Sequence, residues 1–140
     1  MAIADIMTTD LIVISADETV ARAFELLESI DVRHLPVVDD QRLVGLLSDR
    51  DLREYRLPVA EELADPERAD RLLATPVSEV MSSDVISVDV SEPLRAVVDA
   101  MIEYRVGALP VLERDTSRLV GIISYVDLLE ELRARLEPEE

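Results

Sequence analysis

Two seven-residue stretches hold the side chains best spaced to do chemistry: Gly45-Leu46-Leu47-Ser48-Asp49-Arg50-Asp51 and Gly121-Ile122-Ile123-Ser124-Tyr125-Val126-Asp127. In each, an apolar run ends at Ser, and Asp follows three residues later. That spacing suits a helix-capping box, in which Ser accepts an amide and the acid reaches back to another. A capping pair alone is common and specifies no function. At a strand-to-helix junction, however, unpaired N–H groups and the positive end of the helix dipole also suit an anion. An Asp one turn in can accept from two vicinal hydroxyls, the geometry a ribose presents. The Ser hydroxyl lies within reach of the ribose or the first phosphate. Charge-assisted bonds of this kind contribute about 1.5–3 kcal/mol each. Cap and diol clamp both stand open at this point.

Other chemistries have little material. The glycines are Gly45, Gly107 and Gly121, from which no Gly-rich phosphate loop can be built. There is no Cys and no Lys, and His34 is the lone histidine, so covalent and His-centred acid–base catalysis are not expected. His34 and its neighbour Arg33 read by themselves as surface residues. Glu61, Glu62 and Asp65 read as a solvated face; without a His or Cys cluster they predict no metal site. An enzyme is not expected, and no required cofactor.

The elements that must position these residues occur twice. Ile6–Glu54 returns as Val80–Glu130, with Leu35-Pro36-Val37 matching Leu109-Pro110-Val111. After Asp40 the offset grows by two residues, placing an insertion in one turn of the second copy. A duplicated supersecondary unit cannot bury its apolar face alone, so two must pack together. Each copy reads as strand, helix, strand, strand, helix. Leu11–Ile14 and Val85–Val88 predict first strands. Asp17 and Ser91 predict helix N-caps, and Val20, Ala23, Phe24, Leu27 and Ile30 recur at helical spacing, as do Leu94, Val97, Val98 and Met101. Leu35–Val38 and Leu109–Leu112 predict strands with proline at a start or edge. Leu43–Leu47 and Leu119–Ile123 lead to helices opening at Ser48 and Ser124. Asp65-Pro66 predicts a further helix in the linker.

Composition sets the environment. At 140 residues and 49% hydrophobic content the chain can build a core. Nothing resembles a membrane helix or secretory signal, so a cytoplasmic protein without a membrane partner is expected. Thirty-one acidic against 14 basic residues, all of the latter Arg, give a formal net charge of −17. That field repels phosphate backbones, so no nucleic-acid partner is expected. The acidic composition also resembles that of halophilic proteins from salt-rich cytoplasm.

Taken together, the Met-Thr/Ser-x-Asp opening, the Leu-Pro-Val strand and the Gly-x-x-Ser-x-x-Asp close, each present twice, make the chain resemble a tandem pair of CBS (cystathionine β-synthase) domains, a Bateman module. The resemblance covers about residues 3–58 and 77–134. It implies a mixed α/β (α+β) fold of two pseudo-symmetric β-α-β-β-α repeats packed through their sheets, with clefts between them. The divisions expected are a first repeat 1–58, a partly helical linker 59–76, and a second repeat with acidic tail 77–140. The ligand implied is adenosine-containing: AMP first, ATP or S-adenosylmethionine as alternatives. By position, Asp51 and Asp127 would hold ribose hydroxyls, with Ser48 and Ser124 beside them. Asp10 and Ile12, Asp84 and Ile86 would line adenine slots, as would Val32, Arg33 and His34, and Val106, Gly107 and Ala108. Family precedent has basic residues before the Leu-Pro strand reaching phosphates in the partner repeat's cleft. Arg33 and His34 are therefore expected to make the Asp127 cleft the better phosphate site, with Arg50 compensating locally at Asp51. The function implied is a free-standing regulatory module, without an attached effector domain, that signals to a separate effector protein. The alternative is a ligand-free structural dimerisation module. A homodimer is expected, through helices carrying Arg50, Arg53, Tyr55 and Tyr125.

Overall fold

The computed structural model describes residues 1–29, 34–136 and 138. The chain opens on a four-residue helix, α1 (Ile3–Ile6), followed by β1 (Ile14–Ser15), α2 (Val20–Ser29), β2 (His34–Asp39) and β3 (Arg42–Ser48). α3 (Asp49–Leu52) continues as a 3₁₀ turn over Arg53–Tyr55. The linker folds into α4 (Val59–Ala64) and α5 (Pro66–Leu73). Asp65 caps α5 by accepting from the Arg68 amide at 3.1 Å, and Pro66 sits at the helix start, as its sequence predicts. Then come β4 (Val88–Asp89), α6 (Leu94–Tyr104), β5 (Ala108–Glu113), β6 (Arg118–Ser124) and α7 (Tyr125–Arg135). The architecture is mixed α/β.

Two compact units result, and they do not coincide with the sequence repeats. The first unit is Ile12–Val85; the second is Met1–Leu11 with 86–140. Each repeat's opening segment folds with the strands of the other repeat. In the first unit Ser82 exchanges two backbone hydrogen bonds with Leu46 of β3, both 2.9 Å. In the second, Thr8 does the same with Ile122 of β6, at 2.8 and 2.9 Å.

Within each unit a short parallel strand and an antiparallel pair form the sheet: β1 beside β2 beside β3, and β4 beside β5 beside β6. The prolines do not lie at a strand start or edge as expected; each is the third residue of the central strand of its unit. Pro36 stands opposite Leu46, whose backbone groups turn away toward Ser82, and β1 begins only opposite Val37. The absent N–H therefore faces no partner, and Pro110 opposite Ile122 repeats the arrangement. Asp40 and Gln41 (φ 52° and 69°) make the β2–β3 turn; the longer β5–β6 turn carries the two extra residues.

The first strands are shorter and later than the β-branched runs predict. Only Ile14–Ser15 and Val88–Asp89 pair. Nor do Asp17 and Ser91 cap helices. Asp17 accepts from Ser15 Oγ at 2.5 Å, and Ser91 donates from N and Oγ to Asp89 Oδ1 at 2.9 and 2.6 Å. The same two positions tie the turn in both units, with donor and acceptor exchanged. Each unit has its own apolar core. Val20, Ala23, Leu35, Val37, Leu47, Leu52 and Val77 fill the first. Ile3, Val88, Val97, Leu109, Val111 and Ile123 fill the second.

Candidate functional site

Each candidate site is built on the end of a strand. β3 ends at Ser48, whose extended backbone (φ −116°, ψ 164°) turns the chain into α3; β6 ends at Ser124 in nearly the same conformation and leads into α7. Both carboxylates bend back on that junction. Asp51 Oδ2 accepts from the Ser48 amide at 2.9 Å, and Asp127 Oδ2 from the Ser124 amide at 2.9 Å. In return each Ser Oγ accepts the Asp amide, at 3.3 and 3.2 Å. The capping box is thus formed twice. It occupies one oxygen of each acid only; Oδ1 accepts no hydrogen bond among the described residues. The cap fixes the carboxylate and presents its second oxygen at the helix start.

The two copies are not equal. Ser48 Oγ also donates to Asp51 Oδ2 at 3.0 Å, so that oxygen carries two bonds. Ser124 Oγ makes no such donation among the described residues, which leaves its proton, and a lone pair on Asp127 Oδ2, for a ligand. The helix behind Asp127 runs 11 residues, that behind Asp51 only four before tightening into a 3₁₀ turn. A longer run of aligned peptide dipoles gives the Asp127 junction the stronger positive end.

The remaining predicted residues divide between the units. In the second, Ala108 stands in register opposite Ser124, and Gly107 O accepts the Tyr125 amide at 2.9 Å, so Gly107, Ala108, Ser124 and Asp127 form one cluster. A Cβ on Gly107 would lie 3.3 Å from the Tyr125 ring, a tight contact with a side chain that is itself exposed. Ile86 and Val106 are half-buried and pack on that unit's core. In the first unit His34 is exposed, opposite Ser48 in the β2–β3 register, and Ile12 packs on the core. Asp10 and Asp84 are exposed, and the boundary between units separates Asp10 from Ile12 and Asp84 from Ile86. Val32 and Arg33, like Ile30 of the expected helix face, lie outside the described residues.

Sequence reasoning missed the packing behind the junctions. A Cβ on Gly45 would run into Met81 Sδ and lie 2.8 Å from its Cγ; one on Gly121 would lie 2.6 Å from Met7 Sδ and 3.0 Å from Cγ. The opening Met of one repeat therefore requires the closing Gly of the other. The signal was in the sequence, since both residues recur in both copies, but their contact is tertiary. Among the described residues no group of three or more His, Asp or Glu is placed to hold a metal ion, and no helix is long and apolar enough to cross a membrane.

Two units, each a three-stranded sheet with a Ser-Asp box at the end of its last strand, define a tandem of CBS domains. The chain belongs to that family: the CBS domain model matches residues 3–58 and 77–134. It is 33% identical over 138 residues to a CBS domain-containing protein of Dictyostelium discoideum, covering 95% of this chain and 92% of that one. Among solved structures, CBSX2 of Arabidopsis thaliana in complex with AMP is 27% identical with a TM-score of 0.76, covering 96% of this chain and 98% of that one. The CBS domain pair of protein MJ0100, in complex with 5-methylthioadenosine and S-adenosyl-L-methionine, is 25% identical with a TM-score of 0.72, covering 97% and 98%.

Proposed function

We propose that this chain is a regulatory module that binds an adenosine-containing ligand, AMP before ATP or S-adenosylmethionine, and passes its presence to a protein partner. One observation carries the reading: in both units a capped Asp holds a free carboxylate oxygen at a helix start. The similar structures solved with AMP and with 5-methylthioadenosine and S-adenosylmethionine support the ligand class. The net charge of −17 disfavours polyphosphates more than a monophosphate or a sulfonium. The free Ser124 hydroxyl and the longer helix favour the Asp127 junction as the tighter site. Ligand would act by holding one arrangement of the protein more tightly than another.

A thermal-shift panel of AMP, ADP, ATP, NAD and S-adenosylmethionine tests the class. A ligand at a hundredfold its Kd adds about 2.7 kcal/mol to stability. AMP titrated into Asp127→Ala should bind about 10–100-fold more weakly at the tighter site, the loss of one charge-assisted bond. Asp51→Ala should leave that site unchanged. If no compound on the panel moves the transition, the module works without ligand and the proposal fails.

A further inference from the structure

The chain holds no cysteine, so all its sulfur lies in Met1, Met7, Met81 and Met101. Two of the four take the same place in the two units. Met7 Sδ fills the space that a Cβ on Gly121 would need, 2.6 Å from that position, and Met81 Sδ fills the matching space at Gly45. Both side chains are half-buried: they pack on their unit's core and keep part of their surface in water. Met1 is exposed instead, and Met101 lies on α6.

The residue after each of these methionines is tied to the strand that carries a Ser-Asp box. Thr8 exchanges its two backbone hydrogen bonds with Ile122, two residues before Ser124. Ser82 does the same with Leu46, two residues before Ser48. A chemical change at either sulfur therefore acts where an opening segment braces a site strand.

We propose that Met7 and Met81 are sites of reversible oxidation, at which a peroxide converts the thioether to a sulfoxide and so loosens the segment bracing each Ser-Asp junction. A sulfur lone pair attacks one peroxide oxygen. The S–O bond forms as the O–O bond breaks, and the departing hydroxide takes up a proton and leaves as water. Sulfur gives up two electrons and the peroxide gains them. A thiol reductant reverses the step: two thiols supply two electrons and two protons, close to a disulfide, and release the oxygen as water. Oxidation turns a flexible apolar side chain into a larger, polar one. Against the glycine, where the sulfur already sits close to the backbone, the added oxygen has no room. Apolar packing also withholds the hydrogen-bond donor it needs. The side chain swings toward water, the glycine is uncovered, and the backbone bridge beside it opens more often.

The test needs no ligand and is independent of the nucleotide reading. Met1→Leu with Met101→Leu leaves Met7 and Met81 as the remaining sulfurs of the full chain. The folded double variant, treated with dilute hydrogen peroxide, should gain two oxygen atoms, which peptide mass spectrometry places at Met7 and Met81. Hydrogen exchange at the Ile122 and Leu46 amides should then quicken by about tenfold or more. The melting temperature should fall with it, and methionine sulfoxide reductases with dithiothreitol should restore both. Met7→Leu with Met81→Leu, a change that nearly conserves volume, should show neither effect after the same treatment. Met7→Leu alone should confine the faster exchange to Leu46. Sulfurs that stay unoxidised until urea unfolds the chain would overturn the proposal. So would sulfoxides that leave exchange at both amides unaltered, or equal effects in the variant lacking Met7 and Met81.

Discussion

Gly45 and Gly121 show how single residues set the junctions. Neither has a positive φ, so conformational freedom is not the reason for glycine. The reason is close approach: the Met81 and Met7 thioethers lie over the missing side chains, and the Ser82 and Thr8 carbonyls stand 3.0 and 3.1 Å from where a Cβ would be. The thioether can move aside; the backbone, held by two hydrogen bonds, yields less easily. Gly121→Ala should therefore destabilise the protein by about 1–3 kcal/mol, as overpacking does. Adding Met7→Ala to it should cost less than the sum of the single changes, because the clash is then partly relieved. Urea denaturation of the four chains measures this, and strict additivity would mean the methionine is not the obstacle. The Ser-Asp pairs call for a different comparison. Replacing Ser124 by Ala removes one cap acceptor and should cost about 0.5–2 kcal/mol. Ser48→Ala also removes the donor to Asp51 Oδ2 and should cost more.

Among the elements, the sequence was most legible where structure is local. β2, β3, β5 and β6 follow from apolar runs bounded by turn residues, and the caps at Ser48 and Ser124 from Ser and Asp three apart. It was least legible where an element exists only through its neighbour. β1 and β4 are two residues long because β2 and β5 offer pairing only at Val37–Val38 and Val111–Leu112; no property of Leu11–Ile14 announces that limit. The exchange of Met7-Thr8 and Met81-Ser82 between repeats was hidden for the same reason. At the site, the residue types could be read, but not that one carboxylate oxygen is spent on the cap and one left over. The tie that holds the turn after β4 makes its own prediction. The Ser91 hydroxyl and amide, with a smaller contribution from Arg114, hold the Asp89 carboxyl below the usual range. A carboxyl whose folded pKa is lowered contributes stability that is complete above its unfolded value and is lost as pH falls through the depressed one. The Asp89 contribution should thus be constant between about pH 5 and 8, above the ordinary carboxyl range, and vanish in strong acid. Asp89→Asn should lack that contribution at neutral pH and show a shallower decline on acidification. Chemical denaturation of both chains across pH measures the difference.

Across the whole molecule, charge imbalance outweighs any single contact. Among the described residues the ion pairs are Arg22–Glu25, Arg56–Glu28, Arg95–Asp99, Arg118–Glu113 and Arg135–Glu131; all are exposed but for a half-buried Glu131, and such pairs are worth little in water. Most of the acids among the described residues are left without an ion-pair partner. α4 buries nothing and carries Glu61 and Glu62; Asp65 and Glu67 follow at the start of α5. At low salt these carboxylates repel across distances that molar salt screens to about 3 Å. The melting temperature should therefore climb between dilute buffer and multimolar KCl. Salt also strengthens apolar burial in any protein, so the climb alone does not identify its cause. Charge removal separates the two effects. If repulsion governs, Glu61→Gln, Glu62→Gln and Glu67→Gln together should raise the melting temperature in dilute buffer and flatten its rise with KCl. A triple variant that melts with the wild type at every salt concentration would mean that repulsion at these three acids does not oppose folding and that its screening does not carry the salt response.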